Sequence, residues 1–300
     1  MQDSIPAISV CIPTYRGAAH LPATIESVLA QTLGDFELVI VDDNSPDDTA
    51  RVVADYPDPR IRYSRNTSNL GPEGNWNHCL ELARGKYFKL LPQDDLLAPA
   101  CLARQVQVLE QDTAGQIALV FNARDVIDVN GKHILRRRAF GSRSVRVGAS
   151  QLIARCVRHG RNLIGEPGSV LLRRELAARV GKFDGTFGYV IDLDYWFRCL
   201  QHGDAYYLAD ALSSFRLSQG AWSVAIGARQ FQQFRDFARR YAMDPAYRIG
   251  RLDLTAGTFM AFGNAQLRRF AYRWLLPQKD VRGPGAPDVS AVQERGKARP

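Results

Sequence analysis

The residues of this chain best suited to chemistry are two adjacent carboxylates, Asp94 and Asp95. They follow the apolar run Tyr87-Phe88-Lys89-Leu90-Leu91, which is typical of a buried strand, and Pro92 favours a turn between the run and the acids. Hard divalent cations take oxygen ligands, and Mg²⁺ is usually held by one or two carboxylates together with substrate phosphates. The pair therefore predicts a site for a cation or a cation-linked phosphate. The alternative is that an aspartate caps the helix expected near Pro99.

Two earlier apolar runs also end in polar residues. Residues 8–12 are followed by Pro13-Thr14-Tyr15, and residues 39–41 are followed by Asp42-Asp43. An acid at a strand tip can accept hydrogen bonds from a nucleobase N–H or from ribose hydroxyls, so Asp43 is a candidate nucleotide contact. It could equally be a turn residue or help to cap the helix expected near Asp47, and its position alone leaves both open.

A third acidic position lies in the second half of the chain. Asp192 and Asp194 stand at the start of a segment with helical spacing of apolar side chains, among them Leu193, Trp196 and Phe197. In the first turn of a helix, Asp192 can cap backbone N–H groups, which is worth about 1 kcal/mol. It can also act as a general base, because the helix start would hold its carboxylate rigidly within hydrogen-bond reach of a proton.

Strands and helices alternate through the first half of the chain, and this order predicts an α/β fold. The strand patterns cover residues 8–12, 36–41, 60–64, 86–91 and 117–121, and helical patterns lie between them. Alternation of this kind means βαβ units and a mostly parallel, Rossmann-like sheet flanked by helices. Ligands of such sheets bind beyond the carboxyl ends of the strands, so the three polar tips are expected to meet at one crevice.

The second half of the chain has a less regular pattern. Asn130-Gly131 indicates a hairpin turn. Strand patterns cover residues 169–172 and 205–208, and helical patterns cover 150–157, 173–180, 192–201, 230–241 and 255–274. From Pro277 onward proline, glycine and charged residues dominate, which predicts a disordered tail.

The net charge of +8 is unevenly distributed. Between residues 131 and 165 there is no acid, and the basic residues are Lys132, Arg136, Arg137, Arg138, Arg143, Arg146, Arg155, Arg158 and Arg161. A basic cluster favours an anionic partner, such as phospholipid headgroups or a phosphorylated substrate, although it can also be a solvated face. The basic runs lack interleaved aromatic side chains for stacking on bases, so nucleic acid is not an expected partner.

Length and composition are those of a globular protein with a substantial core. The chain has 300 residues, 46% of them hydrophobic and 23% charged. Its five cysteines are scattered, with no Cys-x-x-Cys pair, and are expected to be reduced core thiols. No apolar stretch reaches the ~18 residues of a membrane span, and the first four residues lack the basic start of a secretory signal. A cytoplasmic location is expected, with peripheral contact at the inner face of a membrane as the open alternative.

Several common nucleotide and hydrolase motifs are missing from the sequence. No Gly-x-Gly-x-x-Gly follows the first strand pattern, and no Gly-Lys-Ser/Thr P-loop occurs. No Gly-x-Ser-x-Gly nucleophile elbow occurs either. These absences disfavour a dinucleotide fold, a P-loop nucleotidase and an α/β-hydrolase.

Several motifs do stand in one order along the first half. They are Val10-Cys11-Ile12-Pro13-Thr14-Tyr15, Ile25-Glu26-Ser27-Val28-Leu29-Ala30-Gln31-Thr32, Phe36-Glu37-Leu38-Val39-Ile40-Val41-Asp42-Asp43-Asn44-Ser45-Pro46-Asp47, Asn69-Leu70-Gly71, Ala83-Arg84-Gly85-Lys86-Tyr87 and Gln93-Asp94-Asp95. This order resembles the N-terminal half of family 2 glycosyltransferases. The resemblance is strong over residues 8 to about 110 and looser from Glu166 to Ser223.

The resemblance implies a GT-A fold and a division of the chain. Residues 1–125 would form the nucleotide-sugar-binding half and residues 126–225 the smaller acceptor-binding and catalytic half. Residues 226–276 would be a helical C-terminal extension and residues 277–300 the disordered tail. The implied activity is inverting, metal-dependent hexosyl transfer from a nucleotide diphosphate sugar to an acceptor hydroxyl, with a UDP-sugar as the expected donor. The implied setting is cell-envelope or exopolysaccharide synthesis, with a saccharide or lipid-linked saccharide as acceptor and an anionic membrane surface as a further candidate partner.

The resemblance also implies roles for individual residues. The nucleoside would lie against the end of the first strand, at Pro13, Thr14 and Tyr15. Asp43 would bind the base, and Asp94 would lie near the ribose or the donor sugar. Asp95 would hold Mg²⁺ or Mn²⁺ on the diphosphate. Asp192 would deprotonate the acceptor hydroxyl.

The chain departs from the family pattern at three places. Ile191 precedes Asp192 where the family often has glutamate, and Asn75-Trp76-Asn77 stands where it often has Ala-Arg-Asn. Ser218 stands where a histidine commonly follows the late arginine. Whether Ser218 and Ser223 contact the diphosphate is therefore open.

Two other functions share some of these features. A sugar nucleotidylyltransferase would also place acids at strand tips, but it should carry a glycine-rich, basic loop after the first strand, and Tyr15-Arg16-Gly17-Ala18-Ala19 is poor in glycine. A catalytically inactive nucleotide-sugar-binding module would keep the acids without the reaction. Metal-dependent hydrolysis of nucleotide sugars separates an enzyme from such a module.

Overall fold

The structure is a computed structural model that describes residues 5–217 and 230–275. The tail at residues 277–300, for which disorder is predicted, lies outside the described residues. So do Ser218 and Ser223.

The strands of the described residues all join one sheet. They are β1 (Ile8–Thr14), β2 (Phe36–Asp42), β3 (Ile61–Arg65), β4 (Tyr87–Leu90), β5 (Leu96–Leu97), β6 (Ile117–Ile127), β7 (His133–Arg137), β8 (Val145–Val147), β9 (Val170–Arg173) and β10 (Asp204–Arg216). The spatial order is β3-β2-β1-β4-β9-β6-β10-β5, with β7 beside β6 and β8 beside β10.

The helices cover both faces of this sheet. They are α1 (Leu21–Leu29), α2 (Thr49–Ala54), α3 (Gly71–Leu82), α4 (Cys101–Gln111), α5 (Ala149–Arg158), α6 (Arg174–Val180), α7 (Ile191–Cys199), α8 (Gln230–Ala242) and α9 (Arg251–Leu275). Short 3₁₀ segments lie at Pro167–Ser169, Gly185–Val190, Leu200–His202 and Pro245–Tyr247. Within the described ranges no helix is both long and apolar enough to cross a membrane.

The first four strands of the chain form the parallel part of the sheet. β1 pairs with β2 and with β4, and β2 pairs with β3, all in parallel register. Right-handed βαβ crossovers require helices on the faces of such a sheet, so its strands are buried on both sides and read as continuous apolar runs. All seven residues of β2 are buried, as this rule expects.

The second half of the sheet adds antiparallel strands. β9 runs antiparallel between β4 and β6, while β10 runs parallel to β6. β10 extends to Arg216, well beyond the strand expected at residues 205–208, and its register against β6 shifts at several points. These irregularities carry the strand past β5 and bring its end to the loop that holds the acid pair.

The core lies on both faces of the sheet. Along β1, Ile8, Val10 and Ile12 face one apolar cluster, while Cys11 faces the other, as the alternation of a strand requires. All five cysteines are buried and free of disulfides, which confirms the expectation of reduced core thiols. The predicted α/β sheet with flanking helices and a helical C-terminal part is confirmed. The division at residues 125 and 225 stays a prediction, since β6 (Ile117–Ile127) runs through the first boundary.

Candidate active site

The tip of β1 is joined to the acid loop by Gln93. The Thr14 hydroxyl donates a hydrogen bond of 2.5 Å to Oε1 of Gln93, and the backbone N–H of Tyr15 donates to the same oxygen at 2.9 Å. Nε2 of Gln93 donates to the carbonyl oxygen of Tyr15 at 3.1 Å. The residue directly before the acid pair therefore fixes the pair's loop to the end of the first strand.

The tip of β2 is joined to the same place through its backbone. The N–H of Asp43 donates to the carbonyl oxygen of Thr14 at 2.8 Å. Arg16 and Asn44 have positive φ values of 54° and 59°. Non-glycine residues in this left-handed region are uncommon and cluster at functional sites, where surrounding contacts hold them. Both strand tips are thus held in tight, specified turns.

The Asp43 carboxylate lies at the start of α3, 2% exposed. Its Oδ1 accepts hydrogen bonds from the N–H of Leu70 and from Nδ2 of Asn66, both at 2.8 Å, and its Oδ2 accepts one from the N–H of Gly71 at 2.9 Å. The Asn-x-Gly motif at 69–71 thus supplies backbone donors to this aspartate. Asp43 does act as a helix cap, but for α3 rather than for the helix after Asp47.

Asp43 belongs to a network of buried polar groups. Nδ2 of Asn66 also donates to Oδ1 of Asn75 at 3.1 Å, and Oδ1 of Asn66 lies 2.6 Å from Nδ1 of His78. Nδ2 of Asn75 in turn donates to the carbonyl oxygen of Val41 on β2. Because buried polar groups are costly when unpaired, these bonds fix the orientation of the carboxylate.

The acid pair lies at the end of β4, where Arg216 of β10 meets it. Asp95 is 2% exposed, and its Oδ1 accepts a hydrogen bond from the backbone N–H of Arg216 at 3.1 Å. The Arg216 guanidinium donates to the carbonyl oxygen of Asp94 at 2.9 Å and to those of Asp128 and Val129 at 3.1 Å. One buried arginine therefore binds the acid loop to the turn of the β6–β7 hairpin.

The environment of Asp95 disfavours a bare negative charge. Burial, and then the charge of Asp94, raise the pKa of Asp95 well above its ordinary value. Such a pair gains most from a divalent cation, which offsets the repulsion between the carboxylates. The residues fit a hard cation in their oxygen chemistry, but residues 5–217 and 230–275 contain no cluster of three or more His, Cys, Asp or Glu that could hold a metal by itself. A cation here would need oxygens from a substrate phosphate or water, which is the usual arrangement for Mg²⁺.

Asp192 occupies the first turn of α7 and is partly buried. Its Oδ2 accepts a hydrogen bond from Nδ2 of Asn162 at 2.8 Å, and its Oδ1 accepts one from the N–H of Leu193 at 2.7 Å. Burial raises the pKa of Asp192 to about 7, the charge of Glu166 adds to the rise, and the two donated hydrogen bonds oppose it. A carboxylate with this pKa is ionised at mildly alkaline pH and is a stronger base than an exposed aspartate.

Asp194, two residues further along α7, is held in contacts that stabilise the fold. Its carboxylate accepts hydrogen bonds from the Tyr241 hydroxyl at 2.6 Å and from Nε of Arg198 at 2.9 Å. Asp194 is 2% exposed and binds α8 to α7. Of the two acids at the start of α7, only Asp192 has the setting of a base.

The Glu166 carboxylate acts electrostatically on both the acid pair and Asp192. It forms ion pairs with Arg124, which is 5% exposed, and with Arg137 at 3.5 Å. Burial alone would raise the pKa of Glu166, but these two arginines lower it. The negative charge of Glu166 raises the pKa of both Asp95 and Asp192, so the two acids border the same loop. The charge of Glu166 thus links the environment of the acid pair to that of Asp192.

Sequence reasoning missed several residues that build this site. Gln93 stands directly before the acid pair, and its polar side chain at the end of a strand pattern is a signal that could have identified it. Asn66, Asn162 and Glu166 carry no local pattern, because the side chains that they bind at the site lie 9 to 42 residues away in the chain. Arg216 is the late arginine of the family pattern, and its contacts with the acid loop span more than 120 residues.

Comparisons with known proteins agree with this fold. The sequence model described as "Glycosyl transferase family 2" matches residues 9–180. An uncharacterized protein of Mycobacterium tuberculosis is 34% identical over 214 residues, which are 69% of this chain and 66% of that protein. The succinoglycan biosynthesis protein ExoO of Rhizobium meliloti is 36% identical over 132 residues, which are 44% of this chain and 37% of that protein. This chain therefore spans roughly one to two thirds of these relatives.

Solved structures show the same architecture. The crystal structure of S. aureus TarS 1-349 matches with a TM-score of 0.61 at 17% identity, over 90% of this chain and 75% of that chain. The structure of TarS 1-349 in complex with UDP-GlcNAc matches with a TM-score of 0.60 at 18% identity, over 86% and 80% of the two chains. At such identities the likeness concerns the fold alone. Since the family model matches more than half of the chain and the fold is of the GT-A type, the protein belongs to glycosyl transferase family 2.

Proposed function

We propose that this protein is a glycosyltransferase that moves a sugar from a nucleotide diphosphate donor to an acceptor hydroxyl, with inversion and with the help of Mg²⁺ or Mn²⁺. The observation that carries the proposal is the junction of three strand tips. Gln93 joins the acid pair to Thr14, and Thr14 is joined to Asp43 through the backbone. Family membership and the relative named for succinoglycan biosynthesis support the same conclusion.

The nucleoside is proposed to lie against the end of β1, at Pro13, Thr14 and Tyr15. Asp43 is proposed to accept from the N–H of the base. Oδ1 of Asp43 already accepts two hydrogen bonds and Oδ2 accepts one, so Oδ2 keeps acceptor capacity for a ligand donor. A UDP-sugar is the proposed donor, in line with the UDP-GlcNAc complex of the similarly folded TarS.

The diphosphate is proposed to lie above the acid pair. Asp95 would hold the cation, and Asp94 would lie near the ribose or the donor sugar. A bound divalent cation supplies electrostatic stabilisation of the charge that develops on the leaving diphosphate. Arg216 keeps both aspartates in place, because it binds the Asp94 carbonyl oxygen and the Asp95 carboxylate at once.

Asp192 is the proposed general base. An acceptor hydroxyl is a poor nucleophile, and a positioned carboxylate that takes its proton in the transition state contributes roughly 10²–10⁴-fold. Asn162 and the N–H of Leu193 hold the carboxylate oxygens in fixed directions. Attack by the activated hydroxyl on the face of the sugar opposite the leaving diphosphate inverts the configuration at the anomeric carbon.

The acceptor is proposed to be a saccharide or a lipid-linked saccharide of cell-envelope or exopolysaccharide synthesis. The basic segment from Lys132 to Arg161 includes the β7 strand, and Arg137 of this strand reaches the site through Glu166. Such charge fits an anionic acceptor or an anionic membrane surface. We therefore propose a cytoplasmic enzyme that makes peripheral contact with the membrane.

Incubation with a panel of UDP-, GDP- and dTDP-sugars tests the proposal. The wild-type protein should release the nucleoside diphosphate slowly by hydrolysis when Mn²⁺ is present, and faster with a matching acceptor. Asp192→Asn should lose transfer while it keeps donor binding, whereas Asp95→Asn should lose the metal-dependent part of binding. Absence of turnover with retained nucleotide binding would favour the inactive binding module. Release of pyrophosphate from a nucleoside triphosphate and a sugar phosphate would favour the nucleotidylyltransferase.

A further inference from the structure

The outward face of α9 exposes large apolar side chains. Leu252 is 82% exposed, Phe259 is 76% exposed and Phe262 is 53% exposed. Positions 252, 259 and 262 fall on one side of a helix with 3.6 residues per turn. No charged residue occurs between positions 254 and 267. This face is therefore an uncharged apolar stripe, and a contiguous stripe of this kind marks an interaction site.

The helix cannot turn this stripe inward, because its opposite face is tightly packed. A Cβ added at Gly257 would lie 2.1 Å from the carbonyl oxygen of Val157, so the helix backbone touches the end of α5. A Cβ added at Gly160 would lie 2.3 Å from the backbone nitrogen of Ala261. Nδ2 of Asn264 donates to the carbonyl oxygen of His159 at 2.9 Å. These close contacts set the rotation of the helix about its axis.

Basic residues border the stripe. Arg248 and Arg251 are exposed before it, and the sequence places Arg268 and Arg269 directly after it. Arg158 of α5, which is paired with Asp253 at 2.7 Å, exposes 59% of its side chain beside the helix. An uncharged apolar face with arginines at its borders is typical of a helix that lies in the headgroup region of an anionic bilayer.

A second copy of the chain is the other candidate for covering the stripe. The three side chains together expose on the order of 400 Å². A stable protein interface typically buries about 800 Å² on each partner, and a second copy would bring its own arginines against those that border the stripe, where like charges repel. Area and charge thus favour lipid. We propose that α9 binds an anionic membrane surface, with Leu252, Phe259 and Phe262 inserted among the acyl chains next to the headgroups.

This binding mode has a consequence for the reaction, which rests on the proposed function. The inner face of α9 holds the turn at His159 and Gly160, and Asn162, two residues later, donates to the proposed base Asp192. The helix that contacts the membrane would therefore be joined to the base through one short segment of chain, residues 159–162. The acceptor class that suits this position is a lipid-borne saccharide whose hydroxyl is presented at the bilayer surface.

Co-sedimentation of the full chain with vesicles tests the membrane contact without any catalysis. The probes are vesicles of pure phosphatidylcholine and vesicles in which about a third of the lipid is phosphatidylglycerol, in moderate salt. We expect binding to the anionic vesicles only. The double variant Phe259→Gln with Phe262→Gln should bind at least about tenfold more weakly. Met243→Gln removes an apolar side chain that is 78% exposed outside α9, and this matched control should bind like wild type.

The outcomes separate this inference from the proposed function. Wild-type protein that stays in the supernatant with anionic vesicles, or a double variant that binds as tightly as wild type, would overturn the membrane contact. Sedimentation velocity that shows a wild-type dimer and a monomeric double variant would overturn it as well, in favour of a self-interface. The thermal shift with UDP and Mn²⁺ should be equal in wild type and double variant. A loss of that shift in both proteins would instead count against the proposed function.

Discussion

The pH dependence of transfer should report the ionisation of Asp192. Burial raises the pKa of this carboxyl to about 7, and only the ionised form can take a proton from the acceptor. The ionised fraction is then about one tenth at pH 6 and about nine tenths at pH 8, so kcat/KM should rise about tenfold between these values. Because the active form is the deprotonated one, activity is present above the pKa and is lost as the pH falls through it.

Two substitutions should move the rising limb of the pH profile, where kcat/KM increases with pH, in opposite directions. Asn162→Ala removes a hydrogen bond to the ionised carboxylate, so the pKa of Asp192 should rise. A hydrogen bond to a charged group is worth about 1.5–3 kcal/mol, and about 1.4 kcal/mol corresponds to one pKa unit, so the expected displacement is about one to two units. Glu166→Gln removes a negative charge that raises the pKa of Asp192, so the limb should move to lower pH.

The assay is kcat/KM for the donor sugar at saturating acceptor and Mn²⁺, measured from about pH 5 to pH 9. Glu81→Gln is the matched control, because it removes an exposed carboxylate that pairs with Lys182 away from the site, and its limb should coincide with that of wild type. Thermal melting should accompany each profile, since Glu166→Gln leaves the buried Arg124 without its ion pair. If both site variants keep the wild-type limb, or both move it in one direction, Asp192 is not the base.

Three further outcomes are expected. Asp95→Asn should weaken binding of UDP by roughly tenfold or more when Mn²⁺ is present and hardly change it without metal. Isothermal titration calorimetry measures both affinities, and an equal loss of affinity with and without Mn²⁺ would contradict the role of Asp95 as cation ligand. Arg216→Lys should lower both the melting temperature and kcat. The reason is that an ammonium cannot make the separate contacts that the guanidinium makes to the Asp94 carbonyl oxygen and to the hairpin turn. A variant with wild-type melting temperature and kcat would show that these contacts are dispensable. Gly257→Ala should lower the free energy of unfolding by about 1–3 kcal/mol, because its Cβ would lie 2.1 Å from a backbone oxygen, and urea unfolding with an unchanged midpoint would contradict the packing of α9.

The parallel half of the sheet could be predicted from the sequence because its strands are buried on both faces. Runs such as residues 38–41 are continuously apolar, and helical patterns separate them, so type and order follow from periodicity. The polar residues after each run could then be assigned to one edge, because parallel strands share the direction of their carboxyl ends. No contact between distant residues is needed to assign these positions.

The second half of the sheet could be predicted only in part. β10 continues for eight residues beyond the apolar segment that ends at Leu208, through Ala209, Asp210 and Ala211, which have low strand propensity. Pairing with β6 and β5 stabilises this extension, and such pairing is a property of the tertiary structure. The contacts of Arg216 depend on that extension, so nothing in the local sequence indicates its position beside the acid pair.

The residues of the candidate site could likewise be predicted only in part. The acids themselves stand at strand and helix ends, where the sequence marks them. The sequence does not mark their hydrogen-bond partners in this way. Asn66 lies 23 residues from Asp43 in the chain, and Asn162 lies 30 residues from Asp192. A raised pKa likewise arises from burial and from charges such as Glu166 that only the folded chain brings near.

A nucleoside diphosphate should bind at the joined strand tips with a cation on the acid pair. The most direct measurement is the affinity of the wild-type protein for UDP by isothermal titration calorimetry, with Mn²⁺ and with a chelator, repeated for Asp95→Asn. The wild-type protein should bind UDP clearly with Mn²⁺ and much more weakly with the chelator, and the variant should bind equally in the two conditions. Binding of equal strength in all four titrations, or none in any of them with every common nucleoside diphosphate, would contradict this prediction.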